Sequence, residues 1–329
     1  DTKPMEQAMN PSIPGIHHVT AITADAQQNI DFYCGVLGLR LVKLTVNFDD
    51  PGSYHLYYGD ELGRPGTILT FFAWPGAYRG RVGPPQATAV SFAVPEGALE
   101  FWSEQLDRHG VEARHGTTRF GERVLGFTDP DSMALEIIAK TRSGDQIPAS
   151  GPVPVEAAIR GFHGVTLSEE GYENTAKLLT DIMGFRPDGS EGNRFRYRAA
   201  AGEFAAVVDL LCVPDGRHGG MGAGVVHHVA FRTPDDQQQL AWRETIVRLG
   251  FNVSPVMDRT YFHSIYFREP GGVLFEVATD NPGFTADEAA EELGTRLMLP
   301  PWLEPERPQL EKLLPRLHLP EWHTEARPA

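Results

Sequence analysis

Two histidine pairs and one glutamate carry the first chemical signal. His17-His18 sits at the head of IHHVTAIT (16–23), and His227-His228 at the head of VVHHVAFRT (225–233). A lone strand histidine is usually an ordinary core or surface residue, but the same pair opening two similar segments asks for a common cause. Glu276 lies in the apolar run VLFEV. A carboxylate buried there needs a cation or hydrogen bonds to offset its desolvation. Two imidazoles, one carboxylate and open positions make up the ligand set of a non-haem Fe(II) site that activates oxygen. His18, His228 and Glu276 are therefore the candidate metal ligands.

The elements that must bring them together are written in an internal repeat. IHHVTAIT is followed by an amphipathic helical stretch, DAQQNIDFYCGVLGL (25–39), and by three strand-like runs, LRLVKLTVNF, SYHLYYG and GTILTFFAW. From Val225 the order recurs: VVHHVAFRT, the helix DDQQQLAWRETIVRLG, then FNVSPVMD, SIYFREP and GGVLFEVAT. Two weaker copies lie between, one opening at ATAVSFAVP (87–95) and one at FHGVTL (162–167), the latter with a helix around Tyr172–Met183. The expected fold is α+β, built from four βαβββ modules. Modules 1 and 2 occupy 13–140, a Gly/Pro-rich linker 141–160, modules 3 and 4 161–284, and 285–329 a tail that packs on the outside. TADE (285–288) reads as a capping box for a short helix, and the prolines beyond it argue against a long one.

Aligning the four opening strands sets His18 against Ala89, Gly164 and His228; aligning the four final strands sets Glu276 against Phe71, Glu136 and, less directly, Asp209. Such modules pair two by two into cups. Pairing 1 with 4 and 2 with 3 gives one cup with His18, His228, Glu276 and a phenylalanine, whereas 3 with 4 or 1 with 2 leaves an incomplete set. Glu136 has no facing imidazole and reads as structural. His163 aligns with His17, on the wrong strand face for a ligand. RGRVG (79–83) reads as the connection between modules 1 and 2. His109, His115, His218, His318 and His323 lie in helix ends, loops or the tail and carry no signal.

The 329 residues are 41% hydrophobic with a net charge of -15, enough apolar content for a large core and the wrong sign for nucleic acid or anionic lipid. Cys34 and Cys212 are too few for a disulfide framework. The opening DTKPMEQAMNPSIPG lacks a basic stretch followed by an apolar one, and no apolar run approaches the ~20 residues of a membrane span. A cytoplasmic protein without nucleic-acid or membrane partners is expected.

The repeat, HHVT and HHVA, PGGVLFE, HLYYGDELGRPGT (55–67), EGNRFRYR (191–198) and LMLPPWLE together resemble the hydroquinone-type ring-cleaving dioxygenases of the vicinal-oxygen-chelate superfamily, from about Ile13 to Leu314. The resemblance implies iron held by His18, His228 and Glu276, with His17, Thr20, His227, Arg259 and Tyr266 around it. It implies Tyr266 as acid/base or donor, Arg259 as electrostatic stabiliser and His227 as proton carrier. Fe(II) is the expected cofactor, with Mn(II) as the other metal to test; the expected partners are a small aromatic substrate and O2, and a homo-oligomer is compatible with all of this. Strict strand alternation turns His17 and His227 away from the ligand face. The competing readings are a glyoxalase-like metal-dependent isomerase, disfavoured by Phe71 at the fourth position, and a metal-free small-molecule binding protein.

Overall fold

Strand, helix and three further strands recur four times. The structure, a computed structural model, describes residues 12–140, 151–200 and 205–321; the first half of the expected linker (141–150) and the end of the tail (322–329) lie outside the described residues. Module 1 comprises β1 (Ile16–Thr23), α1 (Ala26–Ile30, continued by a π-helical turn to Val36), β2 (Arg40–Asn47), β3 (Asp50–Gly59) and β4 (Ile68–Ala73). Module 2 comprises β5 (Gln86–Val94), α2 (Leu99–Arg108), β6 (Arg114–Arg119), β7 (Glu122–Thr128) and β8 (Ala134–Ala139). In module 3 these are β9 (Phe162–Glu169), α3 (Glu173–Lys177, again continued by a π turn), β10 (Phe185–Glu191), β11 (Arg194–Ala199) and β12 (Val207–Cys212). In module 4 they are β13 (Val226–Thr233), α4 (Asp236–Arg248), β14 (Met257–Asp258), β15 (Phe262–Arg268) and β16 (Leu274–Pro282).

Local chemistry explains the boundaries. The Asp25 carboxylate accepts from the amides of Gln27 and Gln28, and Asp235 accepts from Gln238, so α1 and α4 begin on side-chain caps. β14 shrinks to two residues because Pro255, inside the expected run, has no N–H to give to a ladder.

The described strands form two eight-stranded sheets, β14-β15-β16-β13-β1-β4-β3-β2 and β10-β11-β12-β9-β5-β8-β7-β6. Modules 1 and 4 share the first sheet and modules 2 and 3 the second, as the ligand argument required. In each sheet the opening strands of two modules run antiparallel at the centre, each parallel to the last strand of its own module. One continuous core joins Phe71, Phe231 and Phe275 of the first sheet with Phe92, Phe162 and Leu210 of the second.

TADE does not start an α-helix. Short 3-10 turns cover Phe284–Ala286 and Ala290–Glu292, because Glu288 is drawn inward to Lys43 Nζ, itself fully buried. Phe284 and Leu293 pack with Tyr57 and Tyr261 in a second apolar cluster that closes one end of the first cup. Beyond it, Met298 N–H donates to Leu44 O, α5 (Arg307–Leu313) forms, and Leu299, Leu303, Leu310 and Leu314 are buried. Residues 151–160 likewise bury Val153, Ala157 and Ile159, with Trp102 Nε1 donating to Ala157 O. Among the described residues no helix is long and apolar enough to cross a membrane.

Candidate metal centre

Register places the three candidate ligands on one face of three adjacent strands. Thr20 on β1 stands opposite His228 on β13, His18 opposite Ala230, and Ala230 beside Glu276 on β16. The buried side chains meet: His228 Nε2 lies 2.9 Å and His18 Nε2 3.3 Å from Glu276 Oε2, and the two Nε2 atoms are 3.3 Å apart. Ligands about 2.1 Å from a metal and at right angles to one another lie about 3 Å apart, so this spacing suits one face of a coordination sphere. Among the described residues these three form the one group of His, Cys, Asp or Glu side chains close enough to hold a metal ion.

His17 and His227 reach the site although alternation points them away. Between Ile16 and His18 the β1–β13 ladder gains one residue on β1, and between Thr20 and Ala21 it gains one on β13. The extra residues are His17 and His227. Each bulge re-aims its side chain sideways, a device strict alternation cannot express. His17 Nδ1 then sits 2.9 Å from His18 Nδ1, and His227 Nδ1 2.8 Å from His228 Nδ1. One nitrogen in each pair must carry the hydrogen. With it on the inner ring, the Nε2 lone pairs of His18 and His228 face the Glu276 carboxylate. Three lone-pair atoms converging in a buried space suit a cation between them. Among the described residues Glu276 Oε2 is also left without a hydrogen-bond donor, while Ser264 Oγ donates to Oε1.

The electrostatics agree. Burial, followed by the adjacent imidazole, holds His17 well below the ordinary histidine range and brings His227 down to about 3; burial lowers His228 as well. Burial alone would raise Glu276, but His18 and His228 outweigh it and hold the carboxyl well below its usual range. A lowered His228 beside an ionised carboxylate suits metal binding, which needs deprotonated ligands.

The fourth position needs a correction. Thr20 pairs with Thr70 on β4 as Ala230 pairs with Glu276 on β16, so Thr70, not Phe71, occupies the place related to Glu276. Phe71 faces the opposite side and packs on Tyr33. An ungapped alignment from the Pro-Gly turns slips because the loop before β4 is one residue shorter in register.

The remaining walls come from both modules. Tyr266 stands opposite Glu276, and its Oη accepts from Arg259 Nε at 3.3 Å. Burial, then the Glu276 charge, raises the Tyr266 hydroxyl, which stays a neutral donor. Arg259 also reaches Asp49, on the turn between β2 and β3, at 3.1 Å. Across the cup His55 Nε2 lies 2.8 Å from Thr70 Oγ1, and Thr70 Oγ1 lies 2.9 Å from Thr20 Oγ1. His55, Thr70, Ser264 and Asp49 were not singled out by the sequence. Aligning the third strands, HLYY with SIYF, sets His55 against Ser264 and Tyr57 against Tyr266, and was the signal available.

The second cup shows what the same scaffold does without imidazoles at the ligand positions. Ala89 and Gly164 fill the histidine positions, and Glu136 and Asp209 the acidic ones. Arg119 binds both oxygens of Glu136 at 2.8 and 2.7 Å, Ser91 adds a third bond, and Arg196 spans Asp209 at 2.7 and 3.0 Å. Guanidinium groups supply the positive charge there. His163 is the bulge residue related to His227, and it meets Glu122 at 3.2 Å.

The sequence matches the Glyoxalase/Bleomycin resistance protein/Dioxygenase superfamily over residues 15–137 and 161–277, one match per half, and the chain belongs to that superfamily. It is 51% identical over 302 residues, 92% of this chain and 96% of the other, to a protein of Bacillus subtilis (strain 168) described as the ring-cleaving dioxygenase MhqO. It is 40% identical, over 89% of this chain and 93% of the other, to the chlorohydroquinone/hydroquinone 1,2-dioxygenase of Sphingobium indicum. A solved structure described as a dioxygenase from Bacillus subtilis superposes with a TM-score of 0.91 at 49% identity, covering 94% of this chain and 99% of that one.

Proposed function

We propose that the protein is an Fe(II)-dependent ring-cleaving dioxygenase that opens a hydroquinone-like aromatic ring with O2. The observation that carries this reading is the convergence of the His18 and His228 lone pairs on a donor-poor oxygen of Glu276, with a hydroxyl rather than a carboxylate at the fourth position. Three ligands leave room for substrate and oxygen together, whereas a glyoxalase-type site needs a further acidic ligand where Thr70 stands. The names of the relatives support hydroquinones as the first substrates to try.

In this reading His18, His228 and Glu276 would hold the iron, which would supply a route for electrons from ring to O2. His17 and His227 fix the ring orientation and tautomer of the two ligand histidines. With its Nδ1 committed to His228, His227 is assigned to that task rather than to carrying protons. Tyr266, neutral and held by Arg259, donates a hydrogen bond toward charge developing on the substrate, and the Arg259 guanidinium stabilises that charge. Phe262, packed against both His17 and His18, keeps water from that side of the centre. The test is oxygen uptake by protein reconstituted with Fe(II) or Mn(II), using hydroquinone, catechol and a methylglyoxal–thiol adduct as alternative substrates. Uptake with hydroquinone under iron is expected; turnover of the thiol adduct without oxygen uptake would overturn the assignment.

A further inference from the structure

The module 1 wall carries a hydrogen-bonded line of side chains that the reading above leaves without work. It runs from Thr20 Oγ1 to Thr70 Oγ1 at 2.9 Å, to His55 Nε2 at 2.8 Å, and from His55 Nδ1 to Tyr57 Oη at 2.9 Å. Thr20 begins it opposite His228 in register, on the same strand face as His18. Thr70 Oγ1 donates to Thr20 Oγ1 here, but hydroxyls rotate and either ring nitrogen can carry the hydrogen, so the line can also run in the opposite sense. It lies in a buried wall, with Thr20 and Thr70 almost fully covered and the His55 ring packed on Tyr57 and Phe72.

A phenol that binds the centre must lose its hydroxyl proton, and the other side chains at the centre cannot take it. Glu276 faces both imidazoles and accepts from Ser264. The neutral Tyr266 hydroxyl is set to donate, and His17 and His227 have their Nδ1 atoms committed to the ligand rings. We propose that His55, acting through Thr70 and Thr20, accepts the hydroxyl proton of the aromatic substrate. The phenolic O–H bond breaks and its electron pair stays on the ring oxygen. Thr20 Oγ1 gains that proton while passing its own to Thr70 Oγ1, which passes its own to His55 Nε2. The net change is one phenolate and one imidazolium, and no oxidant is consumed. Burial, then the charges of His18 and His228, holds His55 below the ordinary histidine range, and a hydroxyl on a divalent cation, far more acidic than a free one, would narrow the gap from the other side.

The proposal rests on the ring-cleaving reading, so its test includes a signal that does not need turnover. Nitrohydroquinone, whose visible absorption reports ionisation, would be mixed anaerobically with the full-length iron-loaded protein and with Thr70→Val, Thr70→Ser, His55→Gln and the Thr70→Val/His55→Gln double variant. Iron content and oxygen uptake would be measured alongside. The expected result is unchanged iron, a smaller ionised fraction of bound probe in Thr70→Val and His55→Gln, and kcat lower by about 10²-fold. Thr70→Ser should restore both signals, and the double variant should be no worse than either single one, as for groups acting in series. Wild-type ionisation and kcat in Thr70→Val or His55→Gln, or losses that multiply in the double variant, would overturn the relay while ring cleavage stands. Ionisation of the probe without oxygen uptake from any hydroquinone would sink ring cleavage and leave the relay in place.

Discussion

At the scale of single residues, the centre depends on atoms that have no other partner. His18→Ala, His228→Ala and Glu276→Gln should each weaken iron binding by more than the about 10–100-fold that loss of an outer partner costs. His17→Ala removes only such a partner and should fall inside that range; metal analysis after dialysis against a graded chelator orders the four. Tyr266→Phe should keep its iron and lose kcat, by about 10²-fold if its hydroxyl stabilises developing charge. An unchanged kcat would reduce Tyr266 to a packing residue. The three candidate ligands were legible because HHV occurs twice and Glu276 sits in an apolar run. His55 was not, since one strand histidine carries no signal until the third strands are laid side by side. Thr70 was missed for a different reason: hydrogen-bond register, not distance from the preceding Pro-Gly turn, decides which residue of β4 faces the cup.

At the scale of elements, order and type of strand and helix followed from polarity patterns, while the bulges and the π turns that end two of the helices did not. A bulge is one residue of surplus in a ladder, and the surplus is visible only when both strands are paired. Another such feature joins the end of β9 to the turn between β15 and β16. There the Glu269 carboxylate accepts from the amides of Gly271 and Val273 and from Thr175 Oγ1, while the buried Glu169 meets no donor on either oxygen among the described residues. A Cβ on Gly271 would lie 2.6 Å from the Glu169 carboxyl carbon, so a side chain there would push the carboxylate out of this position. Burial, then the Glu269 charge, raises Glu169 to about 8. Since its ordinary value is about 4.3, the folded protein holds a proton that the unfolded chain releases between those values, and stability falls as pH rises through that window. Above pH 7, where the buried histidines are largely neutral in both states, the melting temperature should therefore drop toward pH 8.5, and Glu169→Gln should flatten that drop. A parallel decline in the variant would remove the pair as its cause.

At the scale of the whole molecule, pairing the first module with the last was legible because only that pairing completes the ligand set. The tail was less so: leucines among prolines indicate packing, but not that Phe284 and Leu293 seal one end of the cup or that Glu288 turns inward to Lys43. Residues 151–329 alone lack β1 and hence His18. That fragment should fail to bind iron, and co-expression with residues 12–140 should restore binding; a soluble 151–329 fragment as avid as the full chain would disprove the role of His18. A centre drawn from modules at opposite ends of the sequence also has an order of assembly. During synthesis one imidazole waits alone until β13 and β16 have been made, so in the proposed centre metal would enter only a nearly finished protein. Once there it would tie residue 18 to residue 276, as a cross-link would, and its binding energy would add to the cohesion of the whole sheet. Free metal at 100 times its dissociation constant would contribute about 2.7 kcal/mol, which makes starvation for metal a folding problem for this protein as well as a loss of activity.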